Sequence, residues 1–262
     1  MIVILAVIIQ VILIVLLGIF NFVFRRNKLI EYCYNSIFLV TRYIMGCKLI
    51  ANPFKLKDKV LLISNHPTVL DFIYILHWAK LNNRVEDLRF ISKESIGNVP
   101  FIGKYIKESQ CLISRDFETD YEKIVSFCKK LSEQKSYLLI IFPEGTTICP
   151  ETKDKSLHFS KNNNKPVFNK VLYPRHRGLE LVLKHLLIQQ FVDITLFYND
   201  DRSCYKCNYE QDILFDSYPK NGVIIAKEIP LKKVSVKTIS TVLEKIWIKK
   251  EKFLKGIRPI DT

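Results

Sequence analysis

The chain has 262 residues, enough for one sizeable domain with little left for a second. Its formal charge is +14, from 40 Lys and Arg against 26 Asp and Glu, and residues 1–24 carry none of it. That excess suits anionic phosphate, on a membrane surface or a substrate. No helix-turn-helix, zinc-finger, RNA-recognition or basic-zipper pattern is present, so no nucleic-acid partner is expected.

Residues 2–24 are almost wholly Ile, Val, Leu and Phe. As a helix they would run about 35 Å, enough to cross a bilayer core of about 30 Å. No Lys or Arg precedes the stretch and no small-residue cleavage site ends it, which predicts a retained anchor. Arg25, Arg26 and Lys28 follow, placing the remainder on the cytosolic side by the positive-inside rule. Residues 29–51 form a second apolar stretch broken by Glu31, Arg42 and Lys48. Mid-span charge is costly, which favours an amphipathic helix in the interface, with a second spanning helix as the alternative. Asn52-Pro53 ends it, giving an anchor over 1–24, a membrane-associated helix over 25–54 and a globular domain over 55–262.

The globular part is organised around VLLISNHPTVLD, residues 60–71. An apolar strand breaks at Asn65-His66-Pro67, and a helix is predicted over 70–81. Strand ends that lead into helices are where open α/β sheets place ligands. Asp71 falls five residues after His66, one turn into the helix. A carboxylate there can hold one ring nitrogen and leave the other as a base; a capping or core histidine beside an unrelated aspartate fits the same spacing. Strands follow at 88–92 and 111–116, then a helix at 119–134 and a strand at 137–142 leading into Pro143-Glu144-Gly145-Thr146. This alternation predicts a single α/β domain with a mostly parallel central sheet flanked by helices. Residues 148–170 are polar and read as a loop with one short helix. Residues 171–178, VLYPRHRG, read as the end of another strand, followed by a helix at 179–190, strands at 192–197 and 222–230, and a basic amphipathic helix at 240–254.

The seven cysteines are odd in number and several sit in apolar runs, as reduced thiols would. Cys204 and Cys207 form a lone CxxC, read as part of a loop. No His and carboxylate set has metal-ligand spacing, so no metal is expected. There is no G-x-S-x-G elbow of the serine hydrolases.

NHPTVLD (65–71) and FPEGT (142–146), in this order and about 75 residues apart, resemble the two defining motifs of the glycerolipid acyltransferase family, the lysophosphatidic acid acyltransferases and their relatives. The resemblance implies transfer of an acyl group from acyl-CoA to the sn-2 hydroxyl of a lysophospholipid, with acyl-CoA as co-substrate and no further cofactor. It makes His66 the base and Asp71 its orienting partner, and places Glu144, Gly145 and Thr146 at the glycerol-phosphate part of the acceptor. Lys93, before a Pro-Phe-Ile-Gly turn, and Arg115, at the end of its strand, are candidate phosphate cations. Many phosphatidic-acid-forming members carry Arg directly after Glu-Gly-Thr, where this chain has Thr147. The polar insert and the Tyr-Pro-Arg-His-Arg-Gly block look more like the lysocardiolipin and lysophosphatidylinositol acyltransferase branch. Arg175 and Arg177 offer replacement cations, although Pro174 and Gly178 equally mark a structural turn. Lysophosphatidic acid is the expected acceptor, with lysophosphatidylinositol or lysocardiolipin as alternatives. The expected setting is the endoplasmic reticulum membrane, or the mitochondrial outer membrane, with the domain facing the cytosol. The rivals are a catalytically silent membrane scaffold and a hydrolase.

Overall fold

A computed structural model describes residues 5, 8–10, 12, 13, 16, 29–98, 103–114, 116–199 and 218–257. Of the expected span over 2–24, only residues 5, 8–10, 12, 13 and 16 are among them. Among the described residues no helix is long and apolar enough to cross a membrane.

A seven-stranded sheet forms the centre, in the order β1-β7-β6-β2-β5-β3-β4. Its strands are β1 (Lys48–Ile50), β2 (Lys59–Ser64), β3 (Leu88–Lys93), β4 (Cys111–Ile113), β5 (Tyr137–Ile141), β6 (Gln190–Tyr198) and β7 (Asn221–Ile229). The run from β6 through β2, β5 and β3 to β4 is parallel throughout. β7 lies antiparallel to β6 and takes β1 with it, pairing parallel to that strand. The sheet is therefore mostly parallel, with one reversal toward the β1 edge.

The continuous apolar reading of β2 and β5 follows from burial on both faces, as interior parallel strands require. Their residues alternate between two cores. Val60, Leu62, Leu138 and Ile140 pack on one face under the helix Asp71–Leu81 (α2), with Tyr74, Ile75 and Trp78. Leu61, Ile63, Tyr137 and Leu139 pack on the other, under Phe117–Glu133 (α4), Arg177–His185 (α6) and Ile239–Gly256 (α7). Close approach of the first layer requires Gly222 on β7, where a Cβ would run into the Tyr74 ring.

Three expectations need correction. Residues 29–51 are not one helix: Leu29–Leu39 (α1) runs into a π-helical turn at Val40–Ile44, and Gly46 at φ +73° releases the chain into β1. The sheet thus begins before residue 55. Residues 171–178 form no strand, because their amides are committed elsewhere. Leu172 donates to Glu144, Tyr173 to Ser156, and Arg175 to the Pro143 carbonyl, while Pro174 has no N–H to give. The polar insert holds a full helix, Pro150–Asn162 (α5), started by proline in its first turn and by a reciprocal Cys149–Thr152 cap. Gly103–Ser109 (α3) completes the helices named here.

Candidate active site

Three adjacent parallel strands, β5, β2 and β6, end on one edge of the sheet. β2 delivers His66, β5 delivers Phe142 and the Glu-Gly turn, and β6 ends at Tyr198. The chain leaves β2 for the α2 face and later covers the opposite face after β5, the arrangement that opens a crevice between neighbouring strand ends. Asn65 fixes the turn after β2. Its amide group bonds Leu196 of β6 twice, Nδ2 donating to the carbonyl at 2.8 Å and Oδ1 accepting from the N–H at 2.9 Å.

His66 Nδ1 lies 2.7 Å from Asp71 Oδ2. The imidazole is 20% exposed and stacks on the Phe142 ring at 4.1 Å between centroids, while Asp71 is fully buried. The carboxylate also accepts from the Thr68 amide at 3.2 Å, the Thr68 hydroxyl at 3.1 Å and the Tyr198 hydroxyl at 2.5 Å. Burial, then the facing Asp71 charge, pushes the Tyr198 phenol well above its ordinary pKa, so it stays a donor. With Nδ1–H given to Asp71, the second ring nitrogen, Nε2, carries the lone pair that accepts a proton.

Glu144 points inward. It is 2% exposed, accepts from the Leu172 amide at 3.2 Å and from the Trp247 indole at 3.1 Å, and is also approached by the His66 amide. Burial raises its carboxyl to about 8, against those hydrogen bonds and the pull of Lys250. Lys250 of α7 is itself 2% exposed, 2.6 Å from Asp193 Oδ1 and bonded to the Ile194 carbonyl, with its ammonium 5.1 Å above the Trp247 ring. The last helix thus holds both the Glu-Gly turn and strand β6.

Gly145 has φ +71°, a conformation that side-chain-bearing residues rarely adopt, and Thr146 follows it half-buried. The structure brings His66, Asp71, Glu144, Gly145 and Thr146 together at one edge. Lys93 is on the same edge but beyond β5, at the end of β3, where it lines an open hollow of about 500 Å³ with Glu94, Ser95 and Lys107. Arg115 lies outside the described residues. His77 is buried in the α2 core, with Nε2 2.8 Å from Thr41 Oγ1 and its pKa lowered to about 4 by burial and the nearby Arg42.

Sequence reasoning missed Thr68, Tyr198, Trp247 and Lys250. Tyr198 gives no signal until the β2–β6 pairing is known. Lys250 does give one: it occupies the apolar stripe of α7 with Leu243, Trp247 and Leu254, where a lysine must find a buried partner.

The acyltransferase family model matches residues 48–185, which contain both motifs. The chain is 27% identical, over 54% of its length, to a probable 1-acyl-sn-glycerol-3-phosphate acyltransferase 5 of Arabidopsis thaliana, covering 39% of that relative. It is 24% identical, over 76% of its length, to lysocardiolipin acyltransferase 1 of Gallus gallus, covering 53% of it. It is 26% identical, over 60% of its length, to lysophosphatidylinositol acyltransferase 10 of Caenorhabditis elegans, covering 42% of it. The chain spans about half the length of these relatives or less. With the family model covering more than half of the chain, including both motif strands, His66, Asp71 and the Glu-Gly turn, this chain belongs to the acyltransferase family.

Proposed function

We propose that the chain is a membrane-associated acyltransferase that moves a fatty acyl group from acyl-CoA to the sn-2 hydroxyl of a lysophospholipid. The observation that carries this is the His66–Asp71 pair, with Nδ1 engaged at 2.7 Å and the ring partly open at the sheet edge. The acceptor hydroxyl gives its proton to Nε2 as its oxygen attacks the thioester carbonyl, and Asp71 steadies the resulting imidazolium. The tetrahedral oxyanion collapses, the C–S bond breaks, and the departing CoA sulfur takes the proton back from His66. No covalent acyl-enzyme is required. Glu144 positions the turn from inside, Gly145 and Thr146 border the acceptor, and Lys93 and Arg115 are candidate cations for its phosphate.

Lysophosphatidic acid is the first acceptor to test, with lysophosphatidylinositol and lysocardiolipin beside it, because the relatives' names include all three head-group classes. An anchor over residues 2–24 fits the setting. Leu5, Ile8, Ile12 and Leu16 recur at helical spacing and are each about half exposed, whereas Ile9 and Leu13 pack toward the domain and Gln10 donates to Ser36. We place the chain on the endoplasmic reticulum membrane with the domain in the cytosol.

The test is to express the chain in membranes and supply labelled oleoyl-CoA with each lysophospholipid, running His66→Ala in parallel. Diacyl product lost in the variant is expected. No product from well-folded wild type with any acceptor would refute the transferase, and free fatty acid without diacyl lipid would replace it with a hydrolase.

A further inference from the structure

We propose that Arg175 binds the phosphate of the acceptor and so selects for acceptors that carry one; this rests on the acyl-transfer function proposed above. Arg175 belongs to the segment 171–175, which is pinned to the Glu-Gly turn at two points. Leu172 N–H donates to Glu144 at 3.2 Å, and Arg175 N–H donates to the Pro143 carbonyl at 2.7 Å. The segment therefore cannot shift without the turn that stacks Phe142 on His66.

The side chain lies back over that turn. A Cβ placed on Gly145 would stand 3.6 Å from Arg175 Cδ and 3.7 Å from both Nε and Nη1. The guanidinium thus lies over bare glycine backbone, three residues past the Phe142 ring that supports the imidazole. Arg175 is exposed, and its guanidinium has no hydrogen bond or ion pair among the described residues. Arg84 is engaged with Asp87 and two carbonyls, Arg89 with two carbonyls and Gln134, and Arg42 with the Cys47 carbonyl, while the exposed Arg177 is not seated on the Glu-Gly turn as Arg175 is. A guanidinium whose backbone is pinned to the turn, whose side chain lies over Gly145 and whose donors are unspent is suited to a phosphate oxyanion, which it can grip through two N–H groups.

Two phosphate sources meet at such a site, the acceptor head group and the CoA portion of the donor. We assign Arg175 to the acceptor, because the hydroxyl to be deprotonated is a few bonds from the acceptor phosphate, whereas the thioester is separated from the CoA phosphates by the whole pantetheine arm.

Initial rates are measured for wild type, Arg175→Ala, Arg175→Lys and the charge control Lys184→Ala, varying lysophosphatidic acid and oleoyl-CoA in turn. Arg175→Ala is expected to raise KM for the acceptor about ten- to a hundredfold, as for loss of a charge-assisted contact, with KM for oleoyl-CoA and kcat changed less than about threefold. Arg175→Lys recovers part of the loss, and Lys184→Ala none of this pattern. Thermal melts of the variants should coincide with wild type, since the exposed guanidinium bonds no other group among the described residues. A rise in KM for oleoyl-CoA alone would move the contact to the donor and overturn the assignment. Unchanged constants in an active Arg175→Ala enzyme would refute the role of Arg175 while leaving the transferase intact. Absence of transfer by wild type removes both.

Discussion

Replacing Lys250 by methionine tests whether the last helix is held by charge or by packing. The two side chains have similar length and volume, so the space beside Trp247 stays filled while the ammonium above its ring is lost. At the observed 2.6 Å, an effective dielectric constant of about 20 gives a gross attraction to Asp193 of about 6 kcal/mol. Most of that offsets the cost of taking both ions out of water, so the intact pair contributes little net. Removing one member is different. Asp193, 9% exposed, is left buried without a counter-ion, and the Ile194 carbonyl loses its donor. The expected cost of Lys250→Met is about 3–5 kcal/mol, a large fraction of the 5–15 kcal/mol that stabilises a typical domain. Lys250→Met with Asp193→Asn removes the orphaned charge and should recover at least half. Urea unfolding in mild detergent measures both, followed by far-ultraviolet circular dichroism and by fluorescence of the two tryptophans, Trp78 and Trp247, both fully buried. A single-variant cost under about 1 kcal/mol, or a double variant no better than the single, would refute the charge-pair reasoning.

The Glu144 carboxyl, raised from 4.5 to about 8 in the fold, holds its proton more tightly folded than unfolded. Its contribution to stability is therefore complete below about pH 4.5 and lost as pH rises through 8, by up to about 1.4 kcal/mol per pH unit. Glu144→Gln removes that dependence, so the Tm difference between variant and wild type should change steadily from pH 5 to 8; parallel curves would contradict it. Tyr198→Phe deletes the 2.5 Å donor to Asp71 and should lower kcat about tenfold, with an altered acid limb of the pH–rate profile and little change in KM. An unchanged profile would confine Tyr198 to packing. Gly145→Ala places a Cβ at ordinary contact distance from Arg175, so its cost is backbone strain at φ +71°, about 1–2 kcal/mol. A Tm drop of a few degrees would show this, and a stable Gly145→Ala would refute the strain.

The two motif strands were legible in the sequence because a strand buried on both faces is written as an unbroken apolar run, and each run here stops at a polar turn. The His66–Asp71 pairing was legible from the five-residue spacing, although Asp71 opens α2 and does not lie one turn into it. Residues 171–175 misled because apolar side chains and an extended outline look alike whether the amides meet a neighbouring strand or, as here, Glu144, Ser156 and Pro143. The inward direction of Glu144 was not legible. Its partners come from residues 172 and 247, and only the packing of α7 reveals that the carboxylate is used before any acceptor arrives.

The pairing of β1 with β7 has a consequence for the order in which the molecule is made. Lys48–Ile50 finds its partners only at residues 221–223, and the Tyr218 hydroxyl reaches the Met45 carbonyl at 2.7 Å across 173 residues of chain. At 5–20 residues per second, translation takes about 10–35 s to cover that distance. Throughout that interval residues 45–50 have emerged from the ribosome without the strand that completes their edge. The segment ahead of them meets its surroundings first, and the sheet closes over its own beginning last.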